Sequence, residues 1–291
     1  MLRLAVLIAV AVCLASQATH AFCRQALALG LDVSGSVDTQ EYGLQRDGIA
    51  AALQSAPVRS ALLEQGPPVA LAVFEWSAEN WQRLVVDWTL IDSNATLQAV
   101  ISTIANGQRG PAPDGTALGQ ALIFGAQLLE RNPDCQMRTL DISGDGKNNQ
   151  GRSPDTLSVR NSLSGSTVNA LVIGSDDKGP QDTRQADIAE LSAYFNRSVI
   201  YGPNSFVQVA IGFEDYAAAM QKKLLRELKP ILLGGSPLEP NLEGSGRTSP
   251  QWVAESDDHV FVAAPSASAP FASRYSGSGH SSIFRAGADP W

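Results

Sequence analysis

Ala26-Leu27-Ala28-Leu29-Gly30-Leu31 runs directly into Asp32-Val33-Ser34-Gly35-Ser36, and this stretch decides the fold. A short, continuous apolar run reads as a strand buried in a parallel sheet. Asp38, with Glu41 three residues on, reads as a capping box that opens a helix through Leu53. The strand thus ends in a polar turn and hands over to a helix. Open α/β sheets place ligands beyond the carboxyl ends of their strands, and an acid with two hydroxyls at i, i+2 and i+4 stands at that place.

The rest of the chain repeats the alternation. Pro67-Pro68 punctuates, residues 69–74 read as a second strand, and a turn over 75–81 leads into a third strand at 82–88, where Leu84, Val86 and Trp88 alternate with polar or exposed positions. Helices are expected at 94–105 and, beyond the Gly/Pro loop 107–115, at 116–130. A fourth buried strand at 137–142 ends in Ser143-Gly144-Asp145-Gly146. A short helix (154–163), a strand (168–173), a helix (188–195), a strand (206–210) and an amphipathic helix (215–228) follow. Apart from one hairpin, strands alternate with helices, which predicts an α/β fold: a doubly wound, mostly parallel sheet in the order 3-2-1-4-5-6.

Composition narrows the function. The 291 residues carry 21 Lys+Arg against 29 Asp+Glu, a net charge of −8, which argues against sequence-blind nucleic-acid binding. The three histidines are His20, His259 and His280, so neither a Ser-His-Asp triad nor a His-ligated zinc site fits within residues 22–258. At the N-terminus, Arg3, an apolar run over 4–14 and a small-residue end over 16–21 read as a signal peptide cleaved after Ala21, or after Ala18. The run is well short of the ~20 residues that span a bilayer. A periplasmic or secreted protein with no stable membrane span is expected. From residue 234 to 291 more than half of the residues are Gly, Ser, Pro or Ala, which predicts a disordered tail with Val260-Phe261-Val262 as its only candidate element.

Asp32-x-Ser34-x-Ser36, then Thr116, then Asp145-Gly146 resembles the metal-ion-dependent adhesion site of von Willebrand factor type A domains. Glu75-Trp76, Arg109, residues 143–146 with Asn148-Asn149, and residues 222–227 are similar to a subgroup of exported bacterial proteins that carry this domain and have no assigned function. The resemblance covers residues 24–229. It implies a six-stranded sheet with one antiparallel edge strand, and a divalent cation held directly by Ser34 and Ser36. Asp32, Thr116 and Asp145 would act directly or through water, leaving one position open for a carboxylate of an unidentified partner protein. Hydroxyl and carboxylate oxygens without His or Cys suit Mg²⁺, the default, or Mn²⁺ or Ca²⁺, and not zinc.

Two other classes compete with this non-enzymatic binding module. One is an envelope scaffold with no metal-dependent activity. The other is a metal-dependent phosphoesterase with Asp32 as nucleophile; such enzymes want a second carboxylate two residues on, where this chain has Ser34. Once a signal peptide is removed, Cys23 and Cys135 are the only cysteines. They precede Asp32 and Asp145 by nearly equal steps on strands expected to be neighbours, which predicts a disulfide at the amino edge of the sheet.

Overall fold

The computed structural model describes residues 23–132, 134–174 and 181–229. The first strand, β1 (Cys23–Asp32), is buried at every position. Leu27, Leu29 and Leu31 enter one core, while Ala26 and Ala28 enter a second core on the opposite face. The apolar run lacks alternation because helices cover both faces of its sheet. Gly30 is needed where two neighbours cross it: a Cβ there would lie 2.6 Å from Phe74 Cζ and 2.8 Å from Ile142 Cδ1.

β1 pairs in parallel with β2 (Val69–Trp76) on one side and β4 (Cys135–Gly144) on the other. β5 (Thr167–Ile173) and β6 (Val207–Ala210) continue the parallel sheet beyond β4, and β3 (Gln82–Ile91) closes the other edge antiparallel to β2. The order is β3-β2-β1-β4-β5-β6, as the alternation predicts. On one face lie α1 (Thr39–Gln54), α2 (Ala56–Leu63), α3 (Asn94–Ala105) and α7 (Tyr216–Glu227), burying Ile49, Leu62, Leu97 and Leu224 among others. The other face is covered by α4 (Leu118–Glu130), α5 (Leu157–Ser162) and α6 (Gln181–Tyr194), with Leu122, Leu129 and Val159 in its core.

Several boundaries differ from the sequence reading. Helix α2 is additional: at Ser55 the backbone turns to ψ 138° and Pro57 sits in the first turn of a new helix, where a missing N–H costs nothing. β1 and β4 reach back to their cysteines. β3 extends to Ile91, paired with Val69, and register shifts between Leu71 and Phe74 in its pairing with β2 interrupt the alternation read from Leu84, Val86 and Trp88. α4 starts at Leu118, not Thr116, which leaves Thr116 in the loop. α6 starts at Gln181, earlier than residue 188, and passes into a π-helical turn at Phe195–Val199. The capping box of α1 forms as read, with Asp38 and Glu41 each accepting the other's backbone N–H at 2.8 Å.

Cys23 and Cys135 face each other in register across β1 and β4. Their Cα atoms are 4.7 Å apart and their sulfurs form a disulfide. The expected signal peptide (1–21) and the expected disordered tail (234–291), with Val260–Val262 in it, lie outside the described residues.

Candidate metal centre

The turn after β1 is built by its own backbone. Val33 N–H donates to Trp76 O at 3.0 Å and keeps the chain on the sheet for one residue more. Ser34 N–H then donates to Asp32 Oδ1 at 2.8 Å, an Asx-type turn that aims both side chains off the strand end. Gln45 of α1 donates to Asp32 O at 3.0 Å. Asp32 is fully buried, and its Oδ2 has no hydrogen-bond partner. Gly144 leaves the space beside that oxygen open, since a Cβ there would stand 3.3 Å from it.

Two further loops bring the remaining oxygens to this point. The Ser34 and Ser36 hydroxyls are 3.3 Å apart, Ser36 Oγ donates to Asp145 Oδ1 at 2.8 Å, and Thr116 Oγ1 donates to Ser34 Oγ at 3.3 Å. All five sequence-predicted residues therefore gather at the carboxyl edge of the sheet, from the turns after β1 and β4 and the loop before α4. Among the described residues no group of three or more His, Cys, Asp and Glu side chains could hold a metal. A cation at this point would rest on three hydroxyls beside two carboxylates. That donor chemistry and the orphaned, buried Asp32 Oδ2 fit a hard divalent cation with retained water.

The electrostatics favour a proton or a cation on these acids. Burial, reinforced by the charge of Asp145, pushes Asp32 up to about 8, against the pull of the Ser34 hydrogen bonds and of Arg109. Asp145 is raised as well, chiefly by burial. An aspartate with a raised native pKa binds more protons folded than unfolded. Its contribution to stability is then present in full below the ordinary carboxylate range and is lost as pH rises through the raised value. The cation-free protein should therefore melt at a higher temperature at pH 6 than at pH 9. Scanning calorimetry in EDTA reads this directly, and a higher melting temperature at pH 9 would contradict it.

The sequence assigns no individual role to the residues that hold the loops in place. Asn149, exposed and three residues past Gly146, accepts Thr116 N–H at 2.8 Å and donates its own N–H to Thr116 O at 2.9 Å. Arg109 Nη2 donates to Val33 O at 2.8 Å and to Ser34 O at 3.2 Å, tying the 107–115 loop to the Asp32 turn. Fully buried Glu75 accepts from Tyr42 Oη at 2.8 Å and from Arg83 Nη2 at 2.6 Å, and Arg83 Nη2 also donates to Gln108 O at 2.6 Å. Glu75, Arg109, Asn148 and Asn149 are legible in the sequence only as parts of the family resemblance. Trp76 is core, and Trp88 donates Nε1 to Leu128 O at 3.0 Å.

The family described as "Protein of unknown function (DUF1194)" matches residues 22–232. The chain is a DUF1194 protein. No curated protein matches the DUF1194 chain. Solved structures are similar at the level of fold. The pilus adhesin SpaC from Lactobacillus rhamnosus GG is 14% identical, with a TM-score of 0.50 over 71% of this chain and 31% of that chain. A von Willebrand factor type A protein from Catenulispora acidiphila is 17% identical, with a TM-score of 0.48 over 71% and 43%. Proximal thread matrix protein 1 from the mussel byssus, solved with a zinc-occupied MIDAS motif, is 15% identical, with a TM-score of 0.47 over 72% and 46%. The DUF1194 chain spans less than half the length of each of these three. Among its described residues no helix is long and apolar enough to cross a membrane.

Proposed function

We propose that Asp32, Ser34, Ser36, Thr116 and Asp145 hold one divalent cation, Mg²⁺ by default with Mn²⁺ or Ca²⁺ as substitutes, in an exported protein-binding module. A partner protein would offer a carboxylate to the coordination position left free. The observation that carries this reading is Asp32 Oδ2, a buried carboxylate oxygen with no partner among converging hydroxyls. A buried carboxylate oxygen left without a donor is costly. When bound, the cation supplies positive charge and an acceptor site for an anionic group.

The chain's own residues do the rest. Asp32 and Asp145 balance the cation's charge, the hydroxyls of Ser34, Ser36 and Thr116 offer neutral oxygens, and the buried floor under Asp32 keeps water from its inner side. Loops 35–38, 107–115 and 146–151 border the site and would read the partner's surface. Binding is favoured over phosphoester chemistry because Ser34 occupies the place of a general acid. The N-terminal segment and the disulfide both suit an oxidising compartment outside the cytoplasm.

Asp32→Ala is the direct test. Calorimetric titration of the wild type with Mg²⁺ should show one site, and the variant should show none while keeping its far-ultraviolet circular dichroism. Equal affinity in both would overturn the assignment. For the partner, EDTA should release any protein captured through this site; capture insensitive to EDTA would refute the metal bridge.

A further inference from the structure

Thr116 lies in the loop ahead of α4, whereas the other four members of the oxygen set lie at the end of β1, in the turn after it, or just past β4. Such a loop residue needs something to fix it, and what fixes it comes from the other side of the site. Asn149, on the loop that begins at Asp145, takes Thr116 from three directions. Its Oδ1 accepts Thr116 N–H at 2.8 Å, its backbone N–H donates to Thr116 O at 2.9 Å, and its Nδ2 donates to Thr116 Oγ1 at 3.4 Å. Neighbouring residues extend the grip. Helix α4 has Ala117 at its N-cap and no side-chain cap of its own, and Asn148 Oδ1 supplies the acceptor for Gly119 N–H at 3.2 Å.

The two loops meet too closely for larger side chains. A Cβ at Gly119 would strike Arg152 O, and one at Gly115 would strike the Gln150 amide. The 145–152 loop is itself anchored elsewhere, through Asn148 N–H to Tyr194 Oη at 3.3 Å and Lys147 to Glu190 of α6. Asp145 and Thr116 are thus presented by one assembled unit, with Asn149 as its contact to the Thr116 hydroxyl.

We propose that Asn149 is a positioning residue of the cation site: it does not ligate the cation but fixes the Thr116 hydroxyl relative to Ser34 and Asp145. This rests on the cation reading above and adds to it a residue that acts through Thr116. The amide suits the role because one planar group serves an N–H and a hydroxyl oxygen at once. Supporting side chains of this kind commonly change metal affinity by 10–100-fold when removed. Asn149 is neutral, so its removal changes geometry without changing the charge of the site. The fold should survive, since the Thr116 turn keeps Ala117 N–H to Ser77 O at 2.8 Å and the Asn148 cap.

The experiment is a double-mutant cycle on the full chain, read by Mn²⁺ binding through electron paramagnetic resonance. Asn149→Ala should weaken Mn²⁺ about tenfold, and Asn149→Gln, which carries the same amide one methylene further out, should do the same. Asn149→Ala/Thr116→Ala should bind no more weakly than Thr116→Ala alone. Unchanged affinity in both single Asn149 variants, or losses that add in the double variant, would overturn the proposal. A second readout is independent of any cation: amide exchange at Thr116 should be faster in Asn149→Ala and restored in Asn149→Asp, which keeps the acceptor. A wild type that binds no Mn²⁺ would refute the cation reading alone; unchanged Thr116 exchange in Asn149→Ala would refute the positioning role whether or not Mn²⁺ binds.

Discussion

Replacing Lys223 by Met should destabilise the domain by about 3–5 kcal/mol, the usual loss when one partner of a buried ion pair is removed. Lys223 is completely buried on α7. Its Nζ lies 2.6 Å from Asp141 Oδ2 on β4 and pairs with Glu227 one helical turn on. Asn169 of β5 also donates to Glu227 Oε1, at 2.7 Å. One ammonium therefore serves two buried carboxylates. Burial pushes Asp141 up to about 7, opposed by Lys223 and assisted by Glu227. Without the lysine both acids are left in a low-dielectric interior, and one of them must take up a proton. The loss should consequently be smaller at pH 5 than at pH 8. Adding Asp141→Asn and Glu227→Gln to Lys223→Met should recover much of it, because the uncompensated charges are then gone. Urea unfolding of the three proteins measures this; a loss under 1 kcal/mol for Lys223→Met at pH 8 would contradict the account.

Loss of the disulfide is the second large effect. The Cys23–Cys135 bond closes a loop with a sequence separation of 112, for which the chain-entropy model gives up to ~5 kcal/mol, and native disulfides commonly yield 2–5 kcal/mol. Reduction, or Cys23→Ser/Cys135→Ser, should lower the urea midpoint accordingly. Cation binding should persist, because the bond lies at the amino edge of the sheet while Asp32 lies at the other end of β1, roughly 30 Å away at ~3.3 Å per residue. A reduced protein as stable as the oxidised one would show that the crosslink restrains nothing. A reduced protein that stays folded and loses its cation would show that the two ends of the sheet are coupled in a way the register does not explain.

The strand order and the Asp32-x-Ser34-x-Ser36 turn were readable from the residues themselves, whereas the resemblance joined Thr116 and Asp145 to them as one set. A buried parallel strand writes an unbroken apolar run, and whatever polar residue stops the run is placed at the carboxyl edge of the sheet. Asp32 is marked in this way by β1, whereas β4 carries Arg138, Thr139 and Asp141 within it; the pairing of the two cysteines follows from their similar setback on neighbouring strands. Helix α2 was not readable because the break at Ser55 is a single residue's change of ψ, with no run of turn residues to mark it. The shifted register of β3 against β2 was hidden too, since a bulge lengthens a strand without changing its composition.

Side-chain clamps are the other class of residue that the pattern does not announce. Asn149 and Arg109 sit in polar loops that carry no periodicity, and their partners Thr116, Val33 and Ser34 are far away in sequence. Lys223 and Glu227 could be read as an ordinary exposed i, i+4 pair on an amphipathic helix. Only the sheet brings Asp141 beneath them and makes the pair part of the core.

The claim on which the account turns is that a cation sits between Asp32, Ser34, Ser36, Thr116 and Asp145. Anomalous diffraction at the manganese edge, from crystals grown in Mn²⁺, measures it most directly. The account predicts a single strong peak beside Asp32 Oδ2, bonded to the Ser34 and Ser36 hydroxyls and absent from Asp32→Ala crystals. A map from saturating Mn²⁺ with no peak among these five residues, or with manganese only elsewhere on the protein, would contradict it.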